Sequence, residues 1–121
     1  MTEGEAALHN AVLGEMKKRL RFQYRDIKVN HLGEKAHEFK SFYPDMILSE
    51  QGMVLAVVEV ETENSFTPDK IETWKKLAGS GARLILMVPK SLKSKITAAL
   101  WDSGIADKVA LGSYEININM P

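Results

Sequence analysis

Three acidic side chains around one predicted β-hairpin are the residues of this sequence best placed to do chemistry. Asp45 follows Pro44 at the start of a short apolar segment, and Glu59 and Glu61 end the apolar run 54–58. Side chains of a strand alternate between its two faces, so Glu59 and Glu61 share one face. Carboxylates that converge in a partly desolvated place repel each other, and a bound cation relieves that cost. Hard oxygen ligands of this kind favour Mg²⁺ or Mn²⁺.

The predicted hairpin brings two of these acids together. Glu50-Gln51-Gly52 suits a three-residue loop in which Gly52 takes the left-handed conformation. With that loop, Asp45 lies opposite Val57, and Glu59 is its diagonal neighbour at roughly 7 to 8 Å between backbones. We therefore expect the side chains of Asp45 and Glu59 to converge on one point.

The order of elements around these acids resembles the PD-(D/E)XK nuclease superfamily. Nearly the whole chain follows its pattern of a helix, an extended segment, a strand opened by Pro-Asp, a turn and a strand ending in Glu-x-Glu, then helix, strand, helix, strand. Matched by position, Pro44-Asp45 corresponds to the PD, and Glu59-Val60-Glu61 to the (D/E)XK. The resemblance implies a restriction-endonuclease-like α/β fold, which is a three-layer α-β-α sandwich in the order αβββαβαβ around a mixed sheet of four or five strands.

The same resemblance, which is greatest with small members such as archaeal Holliday-junction resolvases, implies an Mg²⁺- or Mn²⁺-dependent endonuclease that hydrolyses DNA. Asp45 and Glu59 would hold the metal ion beside the scissile phosphate, and Glu61 would ligate a second ion or take the proton of the attacking water. In relatives, an acidic residue of the first helix often completes the metal site. Glu15 is the candidate for this further metal ligand, and Glu5 is the alternative.

Glu61 departs from the superfamily, which most often has a lysine at that position. The lysine orients the attacking water and offsets charge on the phosphate, and a glutamate cannot supply positive charge. One substitute is a lysine of the following helix, Lys70, Lys75 or Lys76, although such lysines are more often only solvated. The alternative function is an inactive module that binds nucleic acid or a protein partner. The simplest alternative is an α/β domain whose acids merely lie at the sheet rim.

The composition favours a single domain over residues 1–121. Hydrophobic residues make up 45% of the chain, and sixteen basic and sixteen acidic residues give zero formal net charge. DNA binding would therefore depend on local patches. The absence of cysteine excludes disulfides and zinc-thiolate sites. The longest apolar runs are about five to seven residues against the ~20 of a membrane helix, so we expect a cytoplasmic protein without membrane contact.

A basic segment follows the first predicted helix, which extends from residue 5 to about residue 20. The apolar stripe of this helix is formed by Leu8, Val12, Met16 and Leu20. The basic residues around its exit are Lys17, Lys18, Arg19, Arg21 and Arg25, with Phe22 and Tyr24 among them. This segment is either a phosphate-contacting patch or, more commonly, a solvated helix end whose cations favour the negative pole of the helix dipole.

The remaining elements follow from periodicity and turn signals. Strands are predicted at 26–31, 83–88 and from residue 109 onward. A second helix begins at Thr67-Pro68 and ends at residue 77 or 78, with Trp74 in the core, and a third, capped by Ser91, covers 92–103 with Trp101 turned inward. All three histidines, at positions 9, 31 and 37, are interpreted as surface residues. The tail 117–121 alternates enough to pair with an edge strand or a partner chain, and a homodimer would fit small resolvases.

Overall fold

The described part of the chain contains three helices and five strands, in the order one helix, three strands, helix, strand, helix, strand. The structure is a computed structural model that describes residues 2–116. The elements are α1 (Glu3–Leu20), β1 (Asp26–Val29), β2 (Met46–Glu50), β3 (Met53–Val60), α2 (Lys70–Ala78), β4 (Arg83–Pro89), α3 (Lys93–Asp102) and β5 (Val109–Tyr114).

The five strands form one mixed sheet in their sequence order, β1-β2-β3-β4-β5. Strands β1, β2 and β3 pair antiparallel, whereas β3, β4 and β5 pair parallel. The predicted α/β class with a central mixed sheet is therefore confirmed, and the sheet has five strands.

Helices cover both faces of this sheet. On one face, Leu13 of α1 packs in a buried cluster with Met46, Leu48, Ala56, Val58 and Val60. On the other face, α2 and α3 contribute Trp74, Leu77, Ile96 and Leu100 to a second cluster, which includes Ile47, Val57, Leu84, Leu86 and Val88. Neighbouring residues of β3 belong to different clusters because its side chains alternate between the faces. Trp74 is in the core, as predicted.

The most buried side of helix α1 lies one position round from its predicted apolar stripe. Val12, Met16 and Leu20 of the stripe pack against the cluster, but all four stripe residues are only partly buried. The fully buried residues are His9 and Leu13, one position further round the helix. Because residues four apart share a helix face, Glu5 lies in line with His9 and Leu13. The side of α1 that faces the sheet therefore includes two polar residues, Glu5 and His9, in line with Leu13.

Helix α2 begins later than its sequence predicts. Its N-cap is Asp69, and Thr67-Pro68 belong to a preceding turn in which the backbone N–H of Lys70 donates to the carbonyl of Thr67 at 3.0 Å. The predicted start at Thr67-Pro68 is wrong because these residues close a turn instead of opening the helix. The end of α2 at Ala78 agrees with the prediction.

Helix α3 also differs at both of its predicted signals. The hydroxyl of Ser91 donates to Glu63 and does not cap the helix, which begins at Lys93 after a short 3-10 turn. Trp101 is 70% exposed, so the inward orientation predicted for it is wrong. Ile96 and Leu100 alone provide the fully buried contacts of α3.

A buried asparagine fixes the long connection between β1 and β2. Asn30 donates from Nδ2 to the carbonyls of His37 at 2.7 Å and Pro44 at 2.8 Å. Its Oδ1 accepts the backbone N–H groups of Ala36 at 3.0 Å and His37 at 2.8 Å. Its own backbone N–H donates to the carbonyl of Asp45 at 3.0 Å. Asn30 therefore positions the segment that leads into Asp45.

None of the helices within residues 2–116 has the length and apolar composition needed to cross a bilayer. The predicted pairing of the tail 117–121 lies outside the described residues.

Candidate functional site

The end of the β2–β3 hairpin brings Asp45 and Glu59 together. Met46–Val58 is the last pair of the antiparallel ladder, and the next residues are Asp45, in the bend before β2, and Glu59, whose side chains share a hydrogen bond. By the alternation of β3, Glu59 lies on the face of Val57, which α2 covers, whereas Asp45 precedes β2 and reaches His9 of α1 at the end of the sheet. The two acids are therefore closer neighbours than the predicted diagonal arrangement.

The turn of this hairpin is shorter than predicted. Its loop consists of Gln51 and Gly52, since β2 ends at Glu50 and β3 begins at Met53. Gln51 has φ 49° and Gly52 has φ 80°, the pair of left-handed residues that a type I′ turn requires. The left-handed conformation of Gly52 is confirmed, and the three-residue loop is wrong.

A β-bulge near the turn then changes the register. Ser49 pairs with Val54, but Leu48 pairs with Ala56, which leaves Leu55 as an extra residue on β3. The predicted pairing of Asp45 with Val57 is therefore wrong by two residues. The prediction that the two side chains converge is confirmed by their hydrogen bond, because the two-residue turn and the bulge together leave three residues unpaired, as many as the predicted loop.

Asp45 is held by two donors on one carboxylate oxygen. Its Oδ2 accepts the backbone N–H of Val60 at 2.7 Å and lies 3.1 Å from Nε2 of His9. The side chain is 14% exposed. These contacts fix the orientation of the carboxylate and leave Oδ1 as the oxygen available to a ligand.

His9 belongs to this site, and its prediction as a surface residue is wrong. The side chain is 2% exposed, with Nδ1 placed 3.2 Å from Oδ1 of Asn10. Burial acts to lower the pKa of His9. Four effects outweigh it and raise that pKa above 6.5: the hydrogen bond with Asp45, the charge of Asp45, the hydrogen bond with Asn10 and the charge of Glu61. The apolar pattern of α1 carries no signal for this contact, because it depends on how the helix docks.

The other two histidines lie outside the site. The side chain of His31 is exposed and pairs with Glu34 at 3.2 Å, as expected for a surface residue. His37 is partly buried, and its recorded hydrogen bonds are made by its backbone with Asn30.

Glu59 is the acid without a cation of its own. Burial is the largest cause that raises the pKa of Glu59 well above 4.5, followed by the charges of Asp45 and Glu61 and a hydrogen bond with Asp45. The charge of Lys70 acts in the opposite direction and does not compensate. Glu59 therefore binds a proton more readily than an exposed glutamate does. A metal ion between the carboxyl groups of Asp45 and Glu59 would take the place of that proton.

Glu61 lies deeper than the other two acids, and both of its oxygens are bonded. Its side chain is 2% exposed. Nζ of Lys70 donates to Oε1 at 3.1 Å and to Oε2 at 2.8 Å, and the hydroxyl of Ser65 also donates to Oε2. Its backbone N–H donates to the carbonyl of Met87 at 2.9 Å, and its carbonyl accepts the hydroxyl of Tyr114 at 2.6 Å. Glu61 is therefore anchored by β4, β5 and α2.

Lys70 brings a positive charge to the acids from the first residue of α2. The other two candidate lysines of α2 do not pair with Glu61. Lys75 pairs with Glu72 at 3.5 Å, and Lys76 is exposed. Position alone distinguishes Lys70, because the helix starts nine residues after Glu61 and directs its first turn back towards the end of β3. The start of α2 at Lys70, and not at Thr67, creates this contact.

The two candidate acids of α1 are placed very differently. The carboxylate of Glu5 accepts from the hydroxyl of Thr62 at 2.8 Å and from Nδ2 of Asn64 at 3.1 Å. The hydrogen bond from Asn64 has the larger effect and that from Thr62 the smaller, and together they lower the pKa of Glu5 below 4.5. Glu15 is exposed and pairs with Lys18 at 3.4 Å. It lies about 9 Å along the axis and roughly 240° around the helix from His9, so the structure does not bring Glu15 to the other acids.

Two neighbouring carboxyl groups, Asp45 and Glu59, are the donor set that suits a metal ion here. Within residues 2–116, no three histidine, aspartate or glutamate side chains are arranged together as a metal centre. A divalent ion at this pair would complete its shell with water, as Mg²⁺ does when it is bound by one or two carboxylates. The pair lies beside Lys70 and His9, which carry or can carry positive charge. The arrangement therefore suits an anionic substrate next to a hydrated cation.

Comparison with known proteins identifies no relative. No family model, curated protein or solved structure matches the chain.

Proposed function

We propose that this protein is a metal-dependent nuclease-like domain of the PD-(D/E)XK kind, which hydrolyses phosphodiester bonds of DNA at the end of the β2–β3 hairpin. The observation that carries the proposal is the contact between the carboxyl groups of Asp45 and Glu59, with Lys70 in the same charge cluster. A mixed five-stranded sheet with helices on both faces supports it, because the resemblance noted in the sequence implies such an α/β arrangement.

Asp45 and Glu59 would hold Mg²⁺ or Mn²⁺. A divalent ion bound there lowers the pKa of a coordinated water and offsets charge on the phosphate. Asp45 offers Oδ1, because Val60 and His9 hold its other oxygen. Glu59 loses its proton when it becomes a ligand. Glu59 lies on paired strand β3, and Asp45 directly precedes β2 with its backbone carbonyl held by the N–H of Asn30, which keeps the separation of the two ligands fixed.

Lys70 would supply the positive charge that a glutamate at position 61 cannot. Its Nζ is held by both oxygens of Glu61, and the Lys70 side chain remains 37% exposed. Glu61 then acts as a positioning residue for Lys70 and not as a metal ligand or general base. The Glu61–Lys70 pair would replace the single lysine that the superfamily most often has at that position.

Calorimetric titration with Mn²⁺ tests the metal site. We expect wild type to bind Mn²⁺, and Asp45→Asn and Glu59→Gln each to weaken binding at least about tenfold, because removing one of two charged ligands costs more than about 1.4 kcal/mol. Glu15→Gln is the matched control and should bind like wild type. If wild type binds no Mn²⁺ at millimolar concentration, the proposal fails. If Glu15→Gln weakens binding, Glu15 is a ligand after all.

Cleavage assays with Mg²⁺ or Mn²⁺ on single-stranded, duplex and branched DNA test the reaction. Loss of cleavage in Asp45→Asn, Glu59→Gln and Lys70→Met, with cleavage retained in Lys76→Met, would support the assigned roles. Retained cleavage in Asp45→Asn would contradict them.

The second candidate function is a module that binds nucleic acid or a protein partner and does not cleave. One observation favours it: Glu61 and Lys70 neutralise each other, so a substrate phosphate has to compete with Glu61 for the lysine. Mn²⁺ binding without cleavage of any of the three DNA forms would select this function over the nuclease.

A further inference from the structure

The exit of α1 is a concentrated positive surface in a chain of zero net charge. Residues 17–25 contain five of the sixteen basic residues and no acidic residue. All five cations are exposed. Along the helix axis, residues 17–21 lie about 12 to 18 Å from His9 and about 18 to 24 Å from Glu5. The surface is therefore separate from the candidate metal site.

Three of these cations have no acidic partner in the described part of the chain. Lys18 pairs with Glu15 at 3.4 Å, and Arg25 pairs with Glu50 at 3.6 Å. Lys17, Arg19 and Arg21 form no ion pair with any residue in 2–116. Exposed cations without counter-charges are available to the phosphates of a polyanion, which releases counterions when it binds.

An exposed aromatic ring stands among these cations. Phe22 is 80% exposed, the highest value among the large hydrophobic side chains recorded as exposed in residues 2–116. The guanidinium of Arg21 lies 4.9 Å from the centre of its ring. The helix ends at Leu20, and Phe22 lies in the turn that follows, so one face of the ring is open to an incoming group.

We infer that Lys17, Arg21 and Phe22, the α1-exit patch, bind single-stranded DNA, since Lys17 and Arg21 are four residues apart and share one side of the helix. Cations that follow the backbone, together with an exposed aromatic ring on which a base stacks, are the two components of sites for unpaired strands. A duplex satisfies only the first component, because its bases are already stacked. This inference deepens the proposed function by naming the surface that holds the substrate.

Binding without metal tests the patch independently of cleavage. Fluorescence anisotropy of a labelled 20-nucleotide oligo-dT in EDTA at low salt should show Phe22→Ala binding about 5- to 100-fold more weakly than wild type, the effect of losing one stacked base. Phe22→Trp should bind at least as tightly as wild type. The double substitution Lys17→Glu/Arg21→Glu should weaken binding and reduce its salt dependence.

Two controls separate stacking from general charge attraction. Lys93→Glu/Lys95→Glu makes the same change of charge on exposed lysines of α3, and it should leave oligo-dT affinity within about twofold, since α3 contributes only distant charge. Phe22→Ala should not weaken binding to the oligo-dT·oligo-dA duplex. Circular dichroism of every variant checks that the fold is retained.

Three results would overturn the inference. The first is that Phe22→Ala binds oligo-dT with wild-type affinity, and the second is that the α3 substitution weakens binding as much as the patch substitution does. The third is that the protein binds polyglutamate more tightly than oligo-dT, which would indicate that an acidic protein segment occupies the patch. Because no metal is present, failure here leaves the nuclease proposal standing, and failure of Mn²⁺ binding leaves the patch standing.

Discussion

Asp45, Glu59 and Glu61 lie in one cluster, yet each carboxyl group has a different electrostatic environment. Asp45 is held by a backbone N–H and by His9, and Glu61 by Lys70 and Ser65. Glu59 has other acids as its strongest electrostatic neighbours. Because burial magnifies their repulsion, Glu59 gains most from an added positive charge.

Glu59→Gln should stabilise the metal-free protein at pH 8 by about 1 to 4 kcal/mol, the range for like charges roughly 4 Å apart between bulk water and a partly buried site. The pKa of Glu59 is raised in the folded state, so the folded protein binds this proton more tightly than the unfolded chain does. The free energy of unfolding of wild type therefore falls as pH rises from 4.5 through the folded pKa. Glutamine removes this loss.

Urea denaturation in EDTA at pH 5 and pH 8 measures this difference. The gap between variant and wild type should be larger at pH 8 than at pH 5. Glu38→Gln, at an exposed glutamate, is the control and should show no such gap. A Glu59→Gln protein that is less stable than wild type at pH 8 would contradict the environment assigned to Glu59.

Lys70→Met should destabilise the fold by about 2 kcal/mol. It leaves the buried carboxylate of Glu61 without its cation, and the cost is lower than that of a fully buried pair because Lys70 is 37% exposed. Adding Glu61→Gln should restore most of the stability, since no unpaired charge then remains. The free energies of unfolding from urea titration give this cycle, with Lys76→Met as the exposed control. Wild-type stability of Lys70→Met would be inconsistent with a buried pair.

At the scale of elements, the connection between β1 and β2 is ordered by one side chain. Asn30 satisfies two carbonyls and two N–H groups of its own connection, including the carbonyl of Pro44 next to Asp45. A buried side chain that makes four such bonds is expensive to replace, because each group left unpaired costs about 1 to 3 kcal/mol.

Asn30→Asp should therefore cost about 2 to 4 kcal/mol, since it keeps the shape and the acceptor but loses both Nδ2–H donors. Thermal denaturation at pH 7 measures this loss. Asn64→Asp, at an exposed asparagine with one bond to Glu5, is the matched control and should change stability by less than about 1 kcal/mol. Equal effects of the two substitutions would show that Asn30 does not organise the connection.

The elements also show what the sequence could predict. Strand β3, the core position of Trp74 and the left-handed Gly52 follow from local pattern and turn chemistry. The bulge at Leu55 does not, because the same alternation of apolar residues fits two registers until the strands are paired. The burial of His9 cannot be predicted from the sequence for a related reason, because the face by which α1 docks depends on the shape of the sheet beneath it.

At the scale of the whole molecule, two buried clusters share one sheet, so their stabilities should be coupled. Strands β2 and β3 contribute buried residues both to the cluster under α1 and to the cluster under α2 and α3. Loss of the sheet exposes both at once. We therefore expect one cooperative unfolding transition.

Trp101→Phe makes this expectation measurable, because it leaves the buried Trp74 as the only tryptophan. The substitution should change stability by less than about 0.5 kcal/mol, since Trp101 is exposed. Urea unfolding followed by Trp74 fluorescence and by far-ultraviolet circular dichroism should then give coincident curves. Separate midpoints would show that the α1 side unfolds independently of the α2 and α3 side.

The bulge in β3 determines which changes of chain length the hairpin can accept. Between Asp45 and Glu59 the chain forms five pairs and leaves three residues unpaired, Gln51, Gly52 and Leu55. Deletion of Leu55 removes an unpaired residue and preserves the acid pair. Insertion of one residue between Val57 and Val58 turns Glu59 to the opposite face. Length variation in this protein's evolution should therefore be confined to the turn and the bulge.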